Sequence, residues 1–233
     1  MVARKAKQDG IKVLLSGAGG DDIFTGYRRH YAAQLDAVIP KIPKTLISGA
    51  QRLLASFDQR SIAVRRISKF LNGSSLSGNP RIINYFKWMD QLTLNSLYTH
   101  EFKASLHNNI AEDPMLDFLN TFNDETSNLD RMLGLEQRFF TTDHNLMYTD
   151  KMSMVEGVEV RVPLLSKDLI EFVTTIPSNL KQKGPEGKHI FKKLMEAYLP
   201  KDIIYRSKTG FGAPIRSWLN NELNEFMHET LSF

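Results

Sequence analysis

The sequence predicts a mainly helical chain, the later and helical part of an α/β domain that keeps one or two parallel strands. Three observations carry this expectation: a short apolar run near the start, apolar residues recurring every three or four positions through most of the rest, and an acidic, glycine-rich turn joining the two patterns. The run is Ile11 to Ser16, bounded by Gly10 and Gly17, and its brevity and continuity read as a buried parallel strand. A second, short extended piece is expected within 158–165, where Val158, Val160 and Val162 alternate with Glu159 and Arg161. Strands of this kind exist in sheets covered by helices, so a chain with one or two of them is expected to belong to a larger domain.

A single helix is predicted over 21–35, because Ile23, Phe24, Tyr27, Tyr31 and Leu35 keep helical spacing. Further helices are expected at 44–57, 62–71, 80–97, 115–122, 129–142, 167–175, 188–198 and 214–231, with the turn-rich stretch 72–80 as a loop. No repeat or low-complexity segment interrupts the 233 residues, which are read as one domain.

Composition narrows the function. An apolar fraction of 42% suits a globular core, and the absence of cysteine excludes disulfides, thiolate metal sites and a cysteine nucleophile from this chain. No apolar stretch reaches the roughly 18 residues of a membrane span, so a cytoplasmic protein without a membrane partner is expected. The net charge of +4 comes from basic residues spread along the chain, and no nucleic-acid partner is expected.

The turn Ser16-Gly17-Ala18-Gly19-Gly20-Asp21-Asp22 matches neither the dinucleotide fingerprint nor the P-loop. Small residues at the end of a parallel strand nevertheless let a ligand approach the backbone. A carboxylate beside a phosphate is repulsive unless a cation lies between them, and Mg2+ commonly takes one or two carboxylates plus phosphate oxygens. Asp21 and Asp22 are therefore candidate metal ligands; alternatively, both acids simply favour the positive end of the helix they begin. Lys188, expected in the first turn of a helix behind the loop Gly184-Pro185-Glu186-Gly187, opposes that helix's dipole and suggests a nearby anion; otherwise it is an exposed lysine tolerated at small cost. Met147, Met152 and Met154 are expected as gap-filling core, and Glu159 with Arg161 as a buried pair.

On these residues the sequence resembles the C-terminal, synthetase half of glutamine-hydrolysing asparagine synthetases. The family pattern serine-glycine-x-glycine-small-aspartate-glutamate-apolar-phenylalanine-glycine-glycine-tyrosine reads here "SGAGGDDIFTGY", and "DKMSMVEGVEVRVPLL", "GKHIFKKLMEAYLP" and "RSKTGFGAPIRSWL" follow in the family's order. The resemblance implies an adenine-nucleotide-hydrolase-like α/β domain and ATP-dependent amidation of aspartate. Its side-chain carboxylate would be adenylated, pyrophosphate would leave, and ammonia derived from glutamine would attack the acyl-adenylate. Ser16 and Gly17 would then line the ATP site, Asp21 with Asp22 would meet Mg2+, and Lys188 would be the catalytic cation.

Departures from the pattern accompany the match. Ala18 stands where family members have an acid implicated in forming the intermediate, Asp22 replaces glutamate, and Ser166 replaces an aspartate. The family's pyrophosphate-binding loop, serine-glycine-glycine-x-x-aspartate-serine, does not occur in the sequence. The chain is accordingly expected to be a partial synthetase domain, inactive alone. A glutaminase domain and the pyrophosphate loop would be supplied in cis or in trans, with room left for a homodimer. Two alternatives stay open: an acceptor carboxylate other than aspartate, such as a sugar acid or a peptide side chain, and a noncatalytic helical module that binds a partner chain.

Overall fold

Apolar spacing of three and four residues makes helices over much of the sequence, and the computed structural model is helical through most of its length, with one small parallel sheet. It describes residues 2–36, 42–58, 61–89, 91–106, 110–207 and 214–232. Two compact units result, Met1–Lys193 and Leu194–Phe233.

In the first unit, helix α1 (Val2–Gln8) leads into strand β1 (Val13–Leu15), which pairs in parallel with β2 (Glu159–Arg161) in the register Val13 to Glu159, Leu14 to Val160 and Leu15 to Arg161. The extended piece expected within 158–165 is therefore the partner of the first strand. The first strand was expected to be buried, but Val13 and Leu15 are exposed, and so is the Glu159–Arg161 ion pair, whose side chains keep 55% and 63% of their accessibility. Met147, Met152 and Met154 are likewise about half exposed. Local apolar spacing places these residues on strands and on one helix without supplying anything to cover them, so the expected core packing and buried pair do not form here.

The helix predicted over 21–35 is broken in two, α2 (Gly20–Ile23) and α3 (Arg28–Leu35). Each half serves a different core. Ile23 and Phe24 pack with Val173, Ile190 and Phe191, whereas Ala33 joins Ile82, Ile83, Leu119, Met132 and Leu135. Burying each such side chain stabilises by about 1.5–3 kcal/mol, enough to override a continuous helical period.

Helices α4 (Lys44–Ala55), α5 (Ile62–Asn72) and α6 (Gly78–Asn84) follow, the turn-rich stretch before α6 containing a short 3₁₀ turn, Gly73–Ser75. The helix expected over 80–97 also splits, into α6 and α7 (Gln91–Ser96); α8 (His100–Ser105) and α9 (Asp113–Leu119) come next. Helix α10 (Asn128–Leu135) then runs through a π-helical stretch, Glu136–Leu146, into α11 (Met147–Met154), well past the predicted end at 142. Helix α12 (Lys167–Thr175) has its predicted limits, and α13 (Ser178–Lys181) and α14 (His189–Met195) bracket the glycine-rich loop.

The second unit holds α15 (Lys201–Ile204), α16 (Ile215–Asn220) and α17 (Asn224–Leu231), so the helix expected over 214–231 is again two. Residues 208–213 of the "RSKTGFGAPIRSWL" block lie outside the described residues. No helix among the described residues is long and apolar enough to cross a membrane.

Candidate active site

The carboxyl end of β1 builds one side of the site. The Ser16 N–H donates to the Arg161 carbonyl at 2.9 Å, continuing the sheet by one bond, and the Ser16 hydroxyl oxygen accepts from the Ala18 N–H at 3.2 Å. Those two bonds fix the turn. Gly17 is exposed with open space where a Cβ would stand, so a ligand can reach its backbone. Gly19 is left-handed at φ 89° and presses on Leu165: an added Cβ would lie 2.3 Å from that side chain. Only glycine meets both demands easily.

Asp21 and Asp22, adjacent on α2, point to different partners. The Asp21 Oδ1 lies 2.7 Å from the Lys188 Nζ, and both side chains keep about a quarter to a third of their accessibility, 25% and 30%. Asp22 turns inward with 2% exposure, where its Oδ1 accepts from the Thr141 hydroxyl at 2.6 Å and the Asn145 amide at 3.2 Å. Those two donors lie in the π-helical stretch, whose wider turns are frequent at functional sites.

Around Asp22 lies a second polar layer. Tyr27 receives a bond from Asn145 at 3.4 Å, and burial, followed by the charge of Asp22, pushes its phenol above the ordinary value. Arg29 binds both oxygens of the fully buried Glu136, with its Nη2 2.6 Å from Oε2, while its guanidinium lies over the rings of Tyr27, Phe86 and Phe140. His30, also fully buried, reaches the same carboxylate at 3.2 Å. Sequence reasoning missed this cluster. Its signal was a glutamate on the apolar face of a helix, Glu136 directly after Leu135.

Lys188 is not in the first turn of a helix as expected; it is the residue before α14, in left-handed conformation at φ 59°. Its N–H donates to the Phe24 carbonyl at 2.8 Å. The opening between α2 and α3 frees that carbonyl, because Thr25 is itself left-handed at φ 66°. Gly187 passes so close that an added Cβ would stand 2.0 Å from the Thr25 carbonyl oxygen. Stacking of Phe24 on Phe191, centroids 4.9 Å apart, fastens α14 to the same corner. Of the predicted residues, the structure thus joins Asp21 to Lys188 directly and sets Ser16 and Gly17 on the turn that leads into α2.

A divalent cation can be weighed against these donors. Among the described residues no group of three or more histidine, aspartate or glutamate side chains could hold a metal by itself. A partly exposed Asp21 suits the other mode, in which one carboxylate shares Mg2+ with phosphate oxygens, once the Lys188 ammonium now paired with it turns to phosphate oxygen.

The family model described as asparagine synthase matches residues 1–232. Glutamine-hydrolysing asparagine synthetase 1 of Bacillus subtilis strain 168 is 27% identical over 230 residues, 99% of this chain and 35% of that protein. A putative glutamine-hydrolysing asparagine synthetase of Mycobacterium tuberculosis H37Rv is 25% identical over 240 residues, covering 99% of this chain and 34% of its own. More distantly, the amidase chyE of Penicillium rubens is 24% identical, with 96% of this chain covered and 35% of that protein. The chain spans about a third of the length of the curated relatives it matches. No solved structure matches it.

Proposed function

Since the chain belongs to the asparagine synthase family, we propose that it contributes part of the active site of an ATP-dependent, AMP-forming amidoligase whose acceptor is the side-chain carboxylate of aspartate. The observation that carries this reading is the Asp21–Lys188 pair beyond the end of β1, 2.7 Å apart with both side chains partly exposed. In this reading the pair opens onto a polyphosphate. Asp21 turns to Mg2+, supported from within by Asp22, and Lys188 turns to phosphate oxygen. Bound Mg2+ would neutralise charge on the departing pyrophosphate.

The residues of this chain then divide the work. Ser16 and Gly17 admit the nucleotide against bare backbone. Lys188 holds positive charge where negative charge accumulates as the carboxylate oxygen attacks the α-phosphorus and pyrophosphate leaves, an arrangement that lowers the barrier without proton transfer. The segments that relatives carry beyond this third of their length would provide the pyrophosphate loop and the ammonia from glutamine, in cis or in trans.

A second reading is favoured by Ala18, which cannot supply the acid that the family pattern carries there: the acceptor is another carboxylate, on a sugar acid or a peptide. Release of AMP from ATP by the complete polypeptide, with ammonia and a panel of carboxylates, tests both. Preference for aspartate supports the first reading. Preference for another acceptor supports the second, and no carboxylate-dependent AMP contradicts both.

A further inference from the structure

Two residues other than glycine adopt left-handed backbone among the described residues, Thr25 at φ 66° and Lys188 at φ 59°, and they are bonded to each other. A β-branched side chain is rarely held there, because its Cβ crowds the backbone, so surrounding contacts must over-determine the conformation. Those contacts are present. The one proton of the Thr25 hydroxyl is shared between the Lys181 carbonyl at 2.9 Å and the Phe24 carbonyl at 2.5 Å, and its oxygen lies 3.3 Å from the Lys188 N–H, whose shorter bond is to the same Phe24 carbonyl at 2.8 Å. Thr25 is 1% exposed, so water does not compete for these bonds. A single hydroxyl therefore ties both ends of the loop 181–188 to the gap between α2 and α3.

The consequence falls on Lys188. Its backbone is fixed at the end of that loop, and its ammonium reaches Asp21, four residues before Thr25 on the same corner. We propose that Thr25 is a positioning residue: its buried hydroxyl, bonded at once to Lys181 and Lys188, sets the backbone from which Lys188 reaches the reacting phosphate. The proposal rests on the role given above to Lys188.

The test uses the complete polypeptide and a double-mutant cycle. Thr25→Val keeps the shape and removes the hydroxyl, Thr25→Ala removes it with less crowding should the valine variant fold poorly, and Thr25→Ser restores it. Two readouts are taken: hydrogen exchange of the 182–188 amides, and ATP–pyrophosphate exchange with its kcat and KM for ATP. The expected result is at least tenfold faster amide exchange and at least tenfold lower kcat for Thr25→Val or Thr25→Ala, KM within threefold, and both values recovered in Thr25→Ser. In a Lys188→Ala background the same substitutions should lower kcat no further, because Thr25 acts through Lys188. An equal loss in that background, or looser amides with unchanged kcat, would overturn the proposal while leaving Lys188 in its role. Wild-type kcat in Lys188→Ala itself would overturn that role, and the proposal with it.

Discussion

The ammonium of Lys188 stands 2.7 Å from the carboxylate of Asp21, an ion pair made between helix α2 and the residue that precedes α14. The paired Asp21 Oδ1 is itself buried, but the two side chains as a whole stay partly exposed, and a partly exposed pair contributes little to stability. A pair that contributes little to folding but sits at a strand end among exposed glycine backbone is better placed to exchange partners with a charged ligand. Lys188→Ala should therefore leave the unfolding midpoint nearly unchanged and lower the kcat of adenylation by 10²–10³-fold. KM for ATP should move by less than about threefold; equal losses in kcat/KM and in ATP affinity would show uniform binding instead.

Gly26 packs directly on Asp21, and a Cβ there would lie 1.8 Å from Oδ1. Gly26→Ala must displace the carboxylate or the backbone, and overpacking of this kind typically costs about 1–3 kcal/mol. Denaturant unfolding should show that loss, together with a fall in pyrophosphate release. Full stability with full activity would mean that Asp21 is not held in the position described.

How much of this arrangement was legible beforehand depends on the range of the interactions. The strand at 13–15 and helix α12 rest on local patterns, and both form where those patterns lie. The break between α2 and α3 was not legible, because Ile23, Phe24, Tyr27 and Tyr31 keep helical spacing across it. What breaks the helix is distant: Val173 and Phe191 capture Ile23 and Phe24, and the Lys188 N–H captures the Phe24 carbonyl. The exposed methionines failed for a related reason, since spacing reveals an apolar face but not what covers it.

Glu136 is fully buried between Arg29 and His30. Glu136→Ala would leave the partly buried Arg29 guanidinium among three aromatic rings without its carboxylate, and because Arg29 keeps 20% of its accessibility the cost should fall below the roughly 3–5 kcal/mol of a fully buried pair. The substitution should lower the urea midpoint accordingly. Arg29→Met, which removes the charge and keeps much of the packing, should cost less if His30 continues to satisfy Glu136.

Tyr85 is buried, and its phenol is pushed above the ordinary value by burial first, then by its hydrogen bond to Asp36 and the charge of that carboxylate, with Arg81 acting in the opposite direction. The native state thus keeps this proton after the unfolded chain has lost it. Its contribution is complete below the unfolded value, near pH 10, and is lost as pH rises above it, by up to about 1.4 kcal/mol per pH unit. Tyr85→Phe should show a correspondingly shallower decline in unfolding free energy between pH 10 and 11 in urea titrations. Parallel curves for the two proteins would contradict the assignment.

The central claim is that Asp21 meets a metal-bound polyphosphate, and Mg2+-dependent release of pyrophosphate by the complete polypeptide carrying Asp21→Asn tests it most directly. The account predicts that release is abolished at every Mg2+ concentration while the thermal midpoint stays within a few degrees of the unsubstituted protein. Release at the original rate with the original Mg2+ dependence would contradict it.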